Sequence, residues 1–178
     1  LAGGRPLVRV RLGDVRGAEG EGAVDTAVAR LFREKGLTLA LAESCTGGLI
    51  AKRITDVAGS SAYFSMGLVT YANGAKERLL GVPAALLAEK GAVSAEVARA
   101  MARGARHAAG SDLALAVTGI AGPDGGSDDK PVGTVYLALA DRAGCSVKAY
   151  RFAGERDAIR TVTAVTALDW LRRRLLAA

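Results

Sequence analysis

The stretch "LALAESCTGGLIAKRI", residues 39–54, sets a serine, a cysteine and a threonine between an apolar run and a double glycine. Residues 37–44, "LTLALAES", read as a short apolar strand, and "GGLIAKRITD" reads as a helix that opens on glycines. In α/β sheets, ligands gather beyond the carboxyl ends of the strands. The N–H groups of Thr46, Gly47 and Gly48 would face that space, and glycine lets a ligand come close to the backbone. Donors placed this way hold a phosphate or the oxyanion of a tetrahedral intermediate. Ser, Thr and Gly are also ordinary helix-capping residues, so the stretch alone leaves both readings open.

Working outward, "VDTAVARLFREK" (24–35) puts Val24, Ala27, Val28, Leu31 and Phe32 on one helical face, and Gly36 ends it. "AYFSMGLVTYA" (62–72) reads as a second strand. "GAKERLLG" and "PAALLAEKG" read as two short helices, and Ser94 caps a longer amphipathic one, "AEVARAMARGARHAAG". "DLALAVTGIAG" (112–122) is another buried strand, followed by the loop "GPDGGSDDKPVG". "VGTVYLALAD" and "CSVKAYRFAG", split by a tight "RAG", imply an antiparallel hairpin. A last helix runs from about Glu155 to Leu176. This order predicts an α/β fold: one mixed sheet covered by helices on both faces.

The 178 residues suit one domain, taken as 23–178, behind a Gly- and Arg-rich arm at 1–22 that is expected to be poorly ordered. No apolar run reaches the ~20 residues of a membrane span, and no secretory apolar region opens the chain. A soluble cytoplasmic protein is expected. Two cysteines, Cys45 and Cys145, with the single His107, offer no zinc-binding spacing. The net charge of +6 would permit a polyanionic partner. The one dense basic run, "LRRRLL" at 171–176, lacks interleaved aromatics and sits where cations offset a helix dipole, so no nucleic-acid partner is expected.

The residues also restrict the chemistry. A Ser–His–Asp triad needs a positioned histidine, and His107 lies near the end of an Ala-rich helix, a common place for a terminal cation. If Ser44 is a nucleophile, its base is another residue, and a lysine of lowered pKa can serve. Lys52, Lys76, Lys90, Lys130 and Lys148 are the options, and Lys76 follows a strand end in "VTYANGAKERL", close to Tyr71 and Asn73. Cys45 reads as a small buried hydrophobe. A second strand end, "AVTGIAGPDGG", brings Thr118 and Gly119 to a similar junction. Asp124, Asp128 and Asp129 in the next loop lack metal-loop spacing and read as solvated turn residues.

Taken together, "AESCTGGLIAKRITDVAGSSAYF", "GLVTYANGAKERLLGV", "GAVSAEVARAMA", "ALAVTGIAGPDGG" and "KPVGTVYLALA" resemble the C-terminal domain of the CinA family, from about Leu37 to Leu176. That family includes stand-alone nicotinamide-nucleotide amidases. The resemblance implies a three-layer α/β/α sandwich and hydrolysis of the carboxamide of nicotinamide mononucleotide (NMN), giving nicotinate mononucleotide and ammonia. It implies Ser44 as nucleophile, Lys76 as base and Tyr71 as an assisting group. Ser61, Thr118 and Arg156 look like substrate contacts, joined by Thr46, Gly47, Gly48, Asn73 and Gly119 in the same motifs. The usual "YSNEAK" reads "YANGAK" here, and Tyr71, Asn73 and Lys76 remain. No metal or other cofactor is expected, a homodimer is, and the family's larger pyrophosphatase-like domain is not matched. A nucleotide-binding or regulatory module without turnover, or an amidase for another small amide, are the competing readings.

Overall fold

The computed structural model of the chain describes residues 8–10 and 22–177. Its elements are β1 (Val8–Val10), α1 (Ala23–Lys35), β2 (Leu39–Glu43), α2 (Leu49–Thr55), a short 3-10 turn (Ser60–Ala62) and β3 (Phe64–Val69). Then follow α3 (Asn73–Leu80), α4 (Ala84–Lys90), α5 (Ala95–Ala109), β4 (Leu113–Gly119), β5 (Thr134–Ala140), β6 (Cys145–Phe152) and α6 (Arg156–Leu176). The strands form one sheet in the order β1-β6-β5-β4-β2-β3. β3, β2 and β4 run parallel, β4–β5 and β5–β6 are antiparallel, and β1 is parallel to β6.

The layering follows from alternation in the strands. Successive strand residues face opposite sides of a sheet, and β2 and β4 both open Leu-Ala-Leu-Ala. Leu39 and Leu41, with Leu113, Leu115 and Val117, join Leu137 and Leu139 in the core beneath α1, α2 and α6. Ala40, Ala42, Ala114, Ala116, Ala138 and Ala140 face the other way, against α5 and the ends of α3 and α4. Each fully buried Leu contributes about 1.5–3 kcal/mol, so the Leu face supplies most of the driving force. The Ala face lets α5 lie close, through its own Val97, Ala98, Met101, Ala102 and Ala105. Gly104 extends the same logic to the next layer: a Cβ there would run into the Leu80 carbonyl. The result is the three-layer α/β/α sandwich with one mixed sheet.

Local signals place the element ends. Ser94 Oγ accepts from Val97 N–H at 3.3 Å and starts α5, while Gly36 ends α1 at φ 62°. The structure differs from the sequence reading at two places. The strand read over 62–72 is Phe64–Val69, because Ser60–Ala62 coil into a 3-10 turn. Val8–Val10 form a strand on β6, where the reading had only an arm; residues 1–7 and 11–21 of that arm lie outside the described residues.

Candidate active site

The parallel strands β3, β2 and β4 end side by side. Ser44 N–H donates to Val117 O at 3.0 Å, and Thr70 N–H donates to Glu43 O at 2.8 Å. Ser44 therefore leaves the sheet between two strand ends. The chain turns after β3 and enters α3, whose first turn carries Lys76 back over this point. Lys76 Nζ lies 3.2 Å from Ser44 Oγ. It also donates to Thr70 O at 2.8 Å and to Tyr71 O at 3.0 Å. Lys76 is 1% exposed and Ser44 9%.

Burial holds the Lys76 pKa below the ordinary lysine value. No carboxylate offsets the desolvation of this amine. A neutral amine has two N–H donors and one lone pair. As an ammonium, Lys76 donates to Ser44 Oγ, Thr70 O and Tyr71 O; once it is neutral, the two carbonyls keep its two donors and its lone pair is left to accept the Ser44 O–H. The same position thus suits a base waiting for the serine proton.

The turn after Ser44 is built by its glycines and by Glu43. Gly47 and Gly48 take φ of 59° and 94° in succession, a left-handed pair that residues with a Cβ rarely adopt. Reading their N–H groups as free donors is corrected here. Gly47 N–H donates to Ser44 O at 3.0 Å. Gly48 N–H donates to the Glu43 carboxylate at 3.1 Å, together with Ile50 N–H at 3.1 Å and Ala51 N–H at 2.8 Å. Glu43, 1% exposed, thus seats its side-chain oxygens on the first turn of α2. The sequence reading treated it only as a strand residue.

Two arginines one turn apart on α6 reach the same region. Arg156 Nη1 donates to Gly122 O at 2.8 Å and Nη2 to the Tyr71 hydroxyl at 3.0 Å. Arg160, which the sequence reading missed, donates from Nε to Cys45 O at 3.2 Å and from Nη2 to Thr46 O at 2.9 Å. Its i,i+4 spacing from Arg156 was the available signal. Tyr71 is 57% exposed, with its hydroxyl directed to Arg156 and not to Lys76.

The other residues are placed less evenly. Thr118 is buried and donates to Ala92 O at 2.8 Å. Gly119 packs beneath Cys45, whose sulfur stands 3.1 Å from where a Cβ would be. Asn73 is exposed on the first turn of α3. Ser61 is not brought to Ser44: it precedes β3, whose first residue pairs with Leu39, while Ser44 follows the last residue of β2. That separates them by about 16 Å of strand at ~3.3 Å per residue.

The remaining singular residues lie apart from this site. His107 is exposed in the last turn of α5. Arg172 and Arg173 pair with Asp169, and Arg174 with Asp141, so the basic run at the end of α6 is matched by acids. Among the described residues no group of three or more His, Cys, Asp or Glu is arranged to hold a metal ion. Nor is any helix there long and apolar enough to cross a membrane.

Fold and site together define an α/β/α domain with a buried serine–lysine pair at the carboxyl ends of its parallel strands. Residues 21–175 match the CinA C-terminal domain, and the chain belongs to that family. It is 91% identical over 178 residues to a CinA-like protein of Geobacter sulfurreducens, covering 100% of this chain and 43% of that protein. A CinA-like protein of Geobacter metallireducens is 73% identical over 177 residues, covering 99% of this chain and 43% of that protein. The chain therefore spans less than half the length of these curated relatives. Among solved structures, a CinA superfamily protein from Klebsiella pneumoniae superposes with a TM-score of 0.86 at 35% identity, covering 90% of this chain and 100% of that one. The competence/damage inducible protein CihA from Agrobacterium tumefaciens gives 0.82 at 44% identity, covering 89% and 99%.

Proposed function

We propose that this domain is an amidase that hydrolyses the carboxamide of NMN to nicotinate mononucleotide and ammonia, with Ser44 as nucleophile and Lys76 as its base. The observation that carries the reading is the 3.2 Å approach of Lys76 Nζ to Ser44 Oγ, with the amine buried and held by two carbonyls. The choice of NMN rests on the family resemblance.

In this reading Lys76 accepts the Ser44 proton as Oγ attacks the carboxamide carbon. The tetrahedral intermediate collapses, the C–N bond breaks, and Lys76 returns the proton to the departing ammonia. Water, deprotonated by the same amine, then cleaves the nicotinoyl ester and regenerates Ser44. No step requires a metal or other cofactor. Arg156 pairs with the nucleotide phosphate, since a guanidinium at the mouth matches that group in charge and geometry. Tyr71 holds Arg156 in place through its hydroxyl, which supports an assisting role at the mouth. The internal carboxylate of Glu43 on α2 supports placing the phosphate at the arginines and not on that helix.

The test is to incubate the purified protein with NMN and with a panel of small amides, following ammonia. NMN is expected to be the preferred substrate. Poor turnover of NMN beside rapid turnover of another amide would keep the amidase and discard the substrate. Tight binding of NMN with no ammonia released would discard both.

A further inference from the structure

A serine amidase must accommodate the negative charge that forms on the amide oxygen, and the backbone around Ser44 can be searched for the donors. Buried N–H groups in folded proteins are nearly always paired. Ser44 N–H goes to Val117 O, Gly47 N–H to Ser44 O, and Leu49 N–H to Thr46 O. The N–H groups of Gly48, Ile50 and Ala51 go to Glu43. Among the described residues, Cys45 N–H and Thr46 N–H donate to no oxygen acceptor. Yet Cys45 is 6% exposed and Thr46 0%. The Thr46 hydroxyl is buried and unpartnered as well.

Arg160 accounts for part of this arrangement. In a trans peptide the N–H points opposite to the C=O. Arg160 takes Cys45 O at 3.2 Å, which turns Thr46 N–H away from the guanidinium. The same arginine takes Thr46 O, and Gly47 N–H, the other end of that peptide, is already used on Ser44 O. The Cys45 sulfur is the one weak acceptor beside these two donors. Burial pushes its pKa up to about 12, against a smaller pull from the N–H groups of Cys45 and Thr46 themselves. It stays a neutral thiol, which is a weak acceptor. At the second strand end Ile120 N–H donates to Thr134 O, and alternation along β4 turns Thr118 N–H toward β5 as well, while Gly119 N–H points to the β2 side and is the competing donor that the experiment separates.

We propose that the N–H groups of Cys45 and Thr46 form the oxyanion hole of this site, held open by Glu43 taking the neighbouring N–H groups and Arg160 taking the carbonyls. This rests on Ser44 being the nucleophile, and it does not depend on NMN being the substrate.

The experiment uses uniformly 15N-labelled protein and diisopropyl fluorophosphate. Ser44 Oγ forms a bond to phosphorus, the P–F bond breaks, fluoride leaves, and the serine proton passes to Lys76. The phosphoryl oxygen of the adduct then stands where the oxyanion would. The expected result is a downfield move and slowed exchange of the Cys45 and Thr46 amide protons, with Gly47, Gly48, Thr118 and Gly119 least affected. Shifts concentrated at Gly47–Gly48 or Thr118–Gly119, with Cys45 and Thr46 unmoved, overturn the assignment. An adduct with the expected signature on a protein that releases no ammonia from NMN leaves the hole in place and sinks the substrate. Failure of Ser44 to form any adduct overturns the hole along with the nucleophile.

Discussion

Arg156 on α6 donates to the hydroxyl of Tyr71 at 3.0 Å, joining two residues 85 positions apart across the mouth of the Ser44 site. The contact ties the start of the last helix to the loop between β3 and α3. Arg156 is also the mouth cation assigned to the substrate phosphate. Arg156→Ala is therefore expected to raise KM for NMN by about ten- to hundredfold, the worth of a charged hydrogen bond at ~1.5–3 kcal/mol. KM for phosphate-free nicotinamide riboside should change much less. Equal effects on the two substrates would remove the phosphate role.

Glu43 is expected to matter more for folding than any other charge near the site. Glu43→Ala leaves the buried N–H of Ile50 and the half-buried N–H groups of Gly48 and Ala51 without their acceptor. The cost should be on the order of 3 kcal/mol or more, read from the denaturant midpoint. Glu43→Gln keeps one acceptor oxygen and should lose about 1 kcal/mol. An alanine variant as stable as the parent would contradict the capping role.

The pH dependence follows from the direction of the Lys76 shift. The base works when neutral, so kcat/KM should rise with pH through an apparent pKa below the ordinary lysine value. In the unfolded chain Lys76 keeps its proton to higher pH. Between the folded and unfolded values the unfolded state thus binds more protons, and stability rises with pH across that window. It is lost as pH falls through the folded value. Lys76→Met should flatten this slope in denaturant titrations at several pH values. An unchanged slope would place the lysine outside a desolvated environment.

Gly104 offers a control far from the chemistry. A Cβ there meets the Leu80 carbonyl, and the rigid α3–α5 contact has no side chain to move aside. Gly104→Ala should cost about 1–3 kcal/mol, as overpacking does, with kcat per folded molecule unchanged. A fully stable variant would show that α5 has room to shift.

The sequence made the strand–turn–helix around Ser44 legible because an apolar run followed by Ser-Cys-Thr-Gly-Gly changes period and polarity at one point. Lys76 was visible for a similar reason, as a polar residue just past a strand end. Glu43 was not, since its carboxylate reaches N–H groups five to eight residues ahead, a backward cap that no local propensity marks. Arg160 was hidden because an arginine on a helix face usually meets water, and its acceptors lie 114 and 115 residues away. β1 was missed because three residues in a Gly- and Arg-rich segment form a strand only by pairing with distant β6. Ser61 is the opposite case: a motif residue assigned to the substrate by resemblance, which the sheet register sets at the far end of β2 and β3 from Ser44.

The chemistry of the domain turns on a neutral Lys76 activating Ser44 for attack on an amide. Its most direct measurement is the rate of ammonia release from NMN, with a chelator present, by the parent protein and by Ser44→Ala and Lys76→Ala. The parent should turn over and each variant should fall by at least about a thousandfold, as when one member of a catalytic pair is removed. Parent-like release by either variant would contradict the account.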